Sequence, residues 1–237
     1  MRPISERRIL EGPAGRLECL LERPVGTVRG FAFIGHPHPL YGGTLDNKVA
    51  ATTARAFLAL GWVAVRPNFR GVGESAGVHD GGVGETQDFL FLTEQVPRLA
   101  QWKLLLPAPV PIALAGFSFG GFVAACAAQQ LAQRGRPPQA LVLIGTPAGK
   151  WPVPRVDPAA VVIHGEVDET VALADVLGWA RESDVPVVVL PGADHFFHRR
   201  LTTLKRLVMQ NLAGAEQLRV SGVEGSAVGS TGHAADE

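Results

Sequence analysis

Short apolar runs of strand length alternate along the chain with stretches whose apolar positions recur every three to four residues. The runs Arg16–Leu21, Val28–Ile34, Trp62–Arg66, Pro111–Gly116, Ala140–Ile144, Ala159–His164 and Val185–Leu190 are bounded by turn residues and read as strands. Between them lie helical patterns. One starts from a cap at Asp46 or Asn47, puts Val49, Thr53, Ala56, Phe57 and Leu60 on one face, and stops at Gly61. Others span Glu85–Val96, closed by Pro97, the alanine-rich Phe119–Arg134, and Thr170–Arg181. The last spans Phe196–Leu212, with Leu201, Leu204, Val208 and Leu212 toward the core. Strands that are apolar on both faces and alternate with helices predict an α/β fold: a mostly parallel, twisted sheet flanked by helices on both faces.

The chain has 237 residues, 46% hydrophobic and 19% charged, which excludes a wholly disordered chain and suffices for one large domain. We expect a single domain over 1–213. After Leu212 the composition turns to Gly, Ser, Ala and acidic residues, so 214–237 reads as a tail, disordered over Gly222–Glu237. Lys and Arg total 22 against 22 Asp and Glu, so the basic excess of a nucleic-acid binder is missing. The two cysteines, Cys19 and Cys126, have no metal-ligand spacing. No stretch of about 18 apolar residues occurs, and the first residues are charged. The expectation is a cytoplasmic protein, without a membrane or nucleic-acid partner, monomeric or homodimeric.

The pattern Gly-x-Ser-x-Gly occurs twice, at Gly116–Gly120 and Gly73–Gly77. It carries chemistry only where a strand leads in and a helix leads out, because that sharp turn projects the serine oxygen at the carboxyl edge of the sheet. Ser118 meets both conditions. Ser75, in a glycine-rich loop, meets neither and reads as a loop-capping serine. A serine nucleophile needs a base, and the base an orienting carboxylate. His195 follows the strand Val185–Leu190. Asp168 follows Ala159–His164, with Glu166 and Asp194 as rivals. Of the other histidines, His164 reads as part of a turn, His79 and His233 as flexible loop or tail, and His198 as a solvated helix residue. Three groups that each follow a different strand, in the order Ser118, Asp168, His195, are stronger evidence than either pentapeptide.

The tetrahedral intermediate needs two N–H donors. Phe119, directly after the nucleophile, supplies one. The loop Gly35–Thr44 supplies the other. Pro37 and Pro39 have no N–H, which leaves His38 first, with Leu40 and Tyr41 behind it. A metal on His36 and His38 is disfavoured, because Pro37 splays the rings and no acidic partner is near. The chemistry calls for no cofactor.

The segments Gly116–Gly121, His164–Asp168 and Ala193–Phe197 resemble the three catalytic segments of the α/β-hydrolase superfamily. His36–Lys48 and Asn68–Ser75 resemble its compact, dienelactone-hydrolase-like bacterial branch, over about residues 10 to 212. Dienelactone hydrolase itself has a cysteine where this chain has Ser118, so the lactone substrate does not carry over. The resemblance implies the fold, the triad and the oxyanion logic, with Arg70 and Glu74 as structural residues. Larger members insert a cap between the sixth and seventh strands, where only Gly145–Pro158 stands here. The expectation is therefore an uncapped, open site rimmed by Tyr41 and Trp151, with Phe119 and Phe196 nearby. The activity expected is hydrolysis of small carboxylic esters. The rivals are amide, peptide or thioester hydrolysis, and a binding module that has lost catalysis.

Overall fold

The structure, a computed structural model, describes residues 4–99, 102 and 109–220, the last six of these as backbone only. Eight strands form one sheet in the order β1-β2-β4-β3-β5-β6-β7-β8. They are β1 Ile4–Gly12, β2 Gly15–Arg23, β3 Gly30–Gly35, β4 Trp62–Pro67, β5 Ile112–Phe117, β6 Ala140–Ile144, β7 Val161–Gly165 and β8 Val187–Leu190. From β4 to β8 all neighbours are parallel, whereas β1/β2 and β2/β4 are antiparallel.

The pleat sorts side chains into two cores. Phe31, Phe33, Val63, Val65, Leu114 and Leu143 face α2 Val83–Gln95, α3 Phe119–Gln133 and α4 Leu173–Ser183. Ala32, Ile34, Ala64, Ala115, Phe117 and Ile144 face α1 Lys48–Ala59 and α5 Leu201–Val220. Asn47 caps α1, its Oδ1 accepting from Val49 N–H at 2.9 Å and Ala50 N–H at 3.2 Å.

β1 departs from the sequence reading, which starts the sheet at Arg16. It pairs with β2 along its whole length, yet its residues are exposed or half-buried. It is an edge strand with Glu6, Arg7, Arg8 and Glu11 in place of an apolar face, so periodicity does not reveal it. α5 also differs. It starts at Leu201 rather than Phe196, because Phe197 and Arg199 take positive φ (53° and 59°) in the preceding turns. It continues to Val220, so 214–220, read as the start of the tail, are helical. The rest of the expected tail, including Gly222–Glu237 and His233, lies outside the described residues.

The connection from β6 to β7 contains turns and extended chain but no helix, and cannot form a packed cap. Among the described residues no helix is long and apolar enough to cross a membrane.

Candidate active site

Ser118 sits between β5 and α3 with φ 53° and ψ −122°. That conformation is strained for a residue with a Cβ, by about 1–3 kcal/mol. The backbone crowding around it explains the flanking glycines. A Cβ on Gly116 would lie 2.0 Å from Gly120 O, and one on Gly120 would lie 2.4 Å from Gly35 C. Ser118 N–H donates to Ile144 O at 2.8 Å, tying the turn to β6. Ser118 is half-buried, while the residues on both sides of it are fully buried.

Asp168 and His195 meet as the sequence predicts, with Asp168 Oδ2 and His195 Nδ1 2.7 Å apart. Burial pushes the Asp168 carboxyl up. The hydrogen bonds from His195 and from Val171 N–H outweigh it and hold the group below the usual carboxylate range. Oδ1 accepts from Thr170 N–H at 2.8 Å and Val171 N–H at 2.7 Å. Asp168 therefore stays an acceptor, and Nδ1 of His195 must carry the proton. His195 packs over the neighbours of Ser118. Its ring lies 4.9 Å from the Phe117 ring, and a Cβ on Gly145 would lie 3.2 Å from its Cε1. Nε2 is neither enclosed nor bonded to protein among the described residues. Ser118 Oγ makes no hydrogen bond to His195 here. Such contacts are commonly loose until substrate binds.

The rivals for the carboxylate have other tasks. Glu166 accepts from Gly192 N–H at 2.8 Å, and Asp194 is paired with the exposed His198 at 2.6 Å. His198 lies ahead of α5, not inside it. The second pentapeptide is structural. Ser75 is buried, donates to Asn68 O at 2.8 Å and accepts from Glu18 N–H at 3.0 Å. Arg70 pairs with Asp88 through two bonds of 2.7 and 3.1 Å, and Glu74 with Arg16 at 2.6 Å. Neither cysteine is a competing nucleophile. Burial pushes the Cys126 thiol up to about 11 and Cys19 higher still.

Phe119 is the first residue of α3, so its N–H has no partner within the helix. His38 N–H donates to no backbone carbonyl among the described residues. The two rings are 5.0 Å apart, which brings the β3 loop against the start of α3. Tyr41 is 87% exposed and packs on His38 at 4.8 Å. Trp151, half-buried, lies 4.9 Å from Phe119 and 5.6 Å from His38. His36 is turned inward. Its Nε2 accepts from Phe69 N–H at 2.9 Å, and Nδ1 lies 2.6 Å from Pro37 O, so both ring nitrogens are engaged. Among the described residues no cluster of three or more His, Cys, Asp or Glu is arranged to hold a metal.

Two histidines differ from the sequence reading. His164 lies within β7 rather than in a turn, fully buried, with Nε2 3.0 Å from Val171 O and 3.4 Å from Asp168 Oδ2. It is a second imidazole on the same carboxylate. His79 is packed, not loose. Its Nδ1 lies 2.8 Å from Oε1 of the fully buried Glu85, and its ring is 4.7 Å from His38 and 5.1 Å from Phe119. Glu85, the third residue of α2, also accepts from Gly82 N–H at 2.9 Å. A glutamate at that helix position is the available sequence signal. The fold alone decides that the loop before it reaches the site.

The thioesterase-domain family model matches residues 99–158. XC6422 from Xanthomonas campestris, described as an α/β serine hydrolase without lid, is 36% identical with a TM-score of 0.79. The match covers 89% of this chain and 94% of that one. An α/β serine hydrolase homologue from Coxiella burnetii is 37% identical with a TM-score of 0.77, over 87% and 97% of the chains. The uncharacterized protein RP471 of Rickettsia prowazekii (strain Madrid E) is 29% identical over 214 residues, 83% of this chain and 84% of that protein.

Proposed function

Since the chain belongs to the α/β serine hydrolases without a lid, we propose that it hydrolyses carboxylic esters of small molecules through an acyl-enzyme, with Ser118 as nucleophile, His195 as base and Asp168 as the orienting carboxylate. The observation that carries this reading is the 2.7 Å Asp168–His195 pair beside a serine held at φ 53° between strand and helix.

Ser118 Oγ attacks the carbonyl carbon as His195 Nε2 takes its proton. Asp168 fixes the tautomer and stabilises the imidazolium without being protonated itself. The carbonyl oxygen becomes an oxyanion facing the N–H groups of Phe119 and His38. Each such donor contributes about 10²–10³ in rate. His195 then gives its proton to the leaving alkoxide, and the ester bond breaks. Water repeats the sequence on the acyl-enzyme and releases the acid and free Ser118. Tyr41 and Trp151 border the substrate, and short acyl chains are favoured because the site is open. Thioester hydrolysis on the same three groups is the second reading, supported by the thioesterase-domain match.

A fluorophosphonate probe followed by peptide mass spectrometry tests the nucleophile. Labelling is expected at Ser118 and not at Ser75, and is lost in Ser118→Ala. Labelling at Ser75 would overturn the assignment. Turnover of matched p-nitrophenyl esters, acyl thioesters and peptides then decides the bond.

A further inference from the structure

The described site uses the main chain of His38 and makes no use of His79, yet the two imidazoles lie against each other, 4.7 Å between centroids and tilted by 49°, beside Phe119. Each has one nitrogen committed. His38 Nδ1 accepts from Leu40 N–H at 3.3 Å, so in the neutral ring the proton sits on Nε2. His79 Nδ1 faces the Glu85 carboxylate, an acceptor, so in the neutral ring Nδ1 holds the proton and Nε2 the lone pair. Glu85 fixes this tautomer. It is fully buried, and it also accepts from the N–H groups of Asp80 (3.0 Å) and Gly82 (2.9 Å). Neither Nε2 is enclosed or bonded to protein among the described residues. Burial lowers the His38 pKa, which favours the neutral ring.

On rings 4.7 Å apart, the pair thus offers one free donor, His38 Nε2–H, and one free acceptor, His79 Nε2. A hydroxyl is the simplest group that satisfies both at once, since it accepts and donates through one oxygen. A carbonyl or ether oxygen satisfies only His38. We propose that His38 and His79 form a hydroxyl clamp beside the oxyanion donors, and that the preferred substrates are esters carrying a hydroxyl close to the scissile carbonyl. This rests on the ester-hydrolase reading and narrows its substrate class. Polar groups built to receive a hydroxyl discriminate against the analogue lacking it, because they are left unpaired. At a partly open site about tenfold is expected.

The test is a matched pair, methyl 3-hydroxybutanoate and methyl butanoate. Wild type should favour the hydroxy ester about tenfold in kcat/KM. His79→Phe keeps the ring and loses Nε2, so the ratio should fall to near one, with kcat/KM on methyl butanoate within about threefold of wild type. The ratio does not depend on the folded fraction, and His79→Leu replaces His79→Phe if that variant does not fold. A wild-type ratio of one or below, or a ratio that survives in the variant, overturns the clamp. Calorimetric binding of the two esters to Ser118→Ala reads the clamp without hydrolysis. About tenfold tighter binding of the hydroxy ester supports it, even if wild type turns over neither ester and the hydrolase reading fails. Equal binding overturns the clamp, even if wild type hydrolyses both.

Discussion

Four residues of the site region, Ser118, Ser75, His195 and His36, differ in how completely their polar atoms are spoken for, and that difference sets what each substitution does. Ser75 Oγ has both a donor and an acceptor partner inside the protein. Ser75→Ala should cost about 1–3 kcal/mol of stability and leave most of the activity, read by urea denaturation beside an ester assay. His195→Ala should lower kcat by several orders of magnitude, because triad members act as a unit. Retained turnover in that variant would move the base elsewhere. Ser118, Asp168 and His195 are legible in the sequence because each follows a recognisable strand. His164 and His79 are not. The first resembles the end of a strand before a glycine, and its burial against Asp168 depends on β7 lying between β6 and β8. The second sits in a glycine-rich stretch whose path is set by Arg70, Asp88 and Glu85 across the fold.

At the scale of elements, the apolar strands and their helices are legible because burial on both faces leaves no polar position to confuse the pattern. β1 is illegible for the opposite reason. An edge strand is stabilised by its ladder to β2, and its exposed face is free to be charged. The close approach of β3 to the start of α3 is likewise invisible until the backbones are placed. It predicts that Gly120→Ala is severe, since the new methyl would meet Gly35 C at 2.4 Å and His36 O at 2.5 Å. Overpacking against backbone costs about 3 kcal/mol or more. A urea midpoint close to wild type would show that the junction can spread.

For the molecule as a whole, acid should loosen the fold. Burial lowers the pKa of His36 to about 4, so below an ordinary value of about 6.5 the unfolded chain binds a proton that the folded chain refuses. Stability therefore falls as pH drops from about 6.5 toward 4, by up to about 3 kcal/mol from this residue. His164, whose pKa burial also lowers, acts in the same direction. Urea midpoints should decline across that window, and less so in His36→Gln. An equal slope in the variant would assign the loss to other groups. The uncapped sheet edge has a kinetic counterpart. A methylene contributes about 0.8 kcal/mol only when it leaves water. Acetate to butyrate esters should therefore outpace palmitate, with no jump in rate at the substrate solubility limit. A preference for chains beyond about ten carbons would contradict an open site.

The bare β6–β7 connection also makes the enzyme modular. Its exposed 157–159 turn offers a place where a small folded domain with adjacent termini could be grafted, because lengthening a surface loop costs little entropy. Gating and substrate size would then become properties of the graft. The Ser118 turn, anchored in β5, β6 and α3, would keep its geometry.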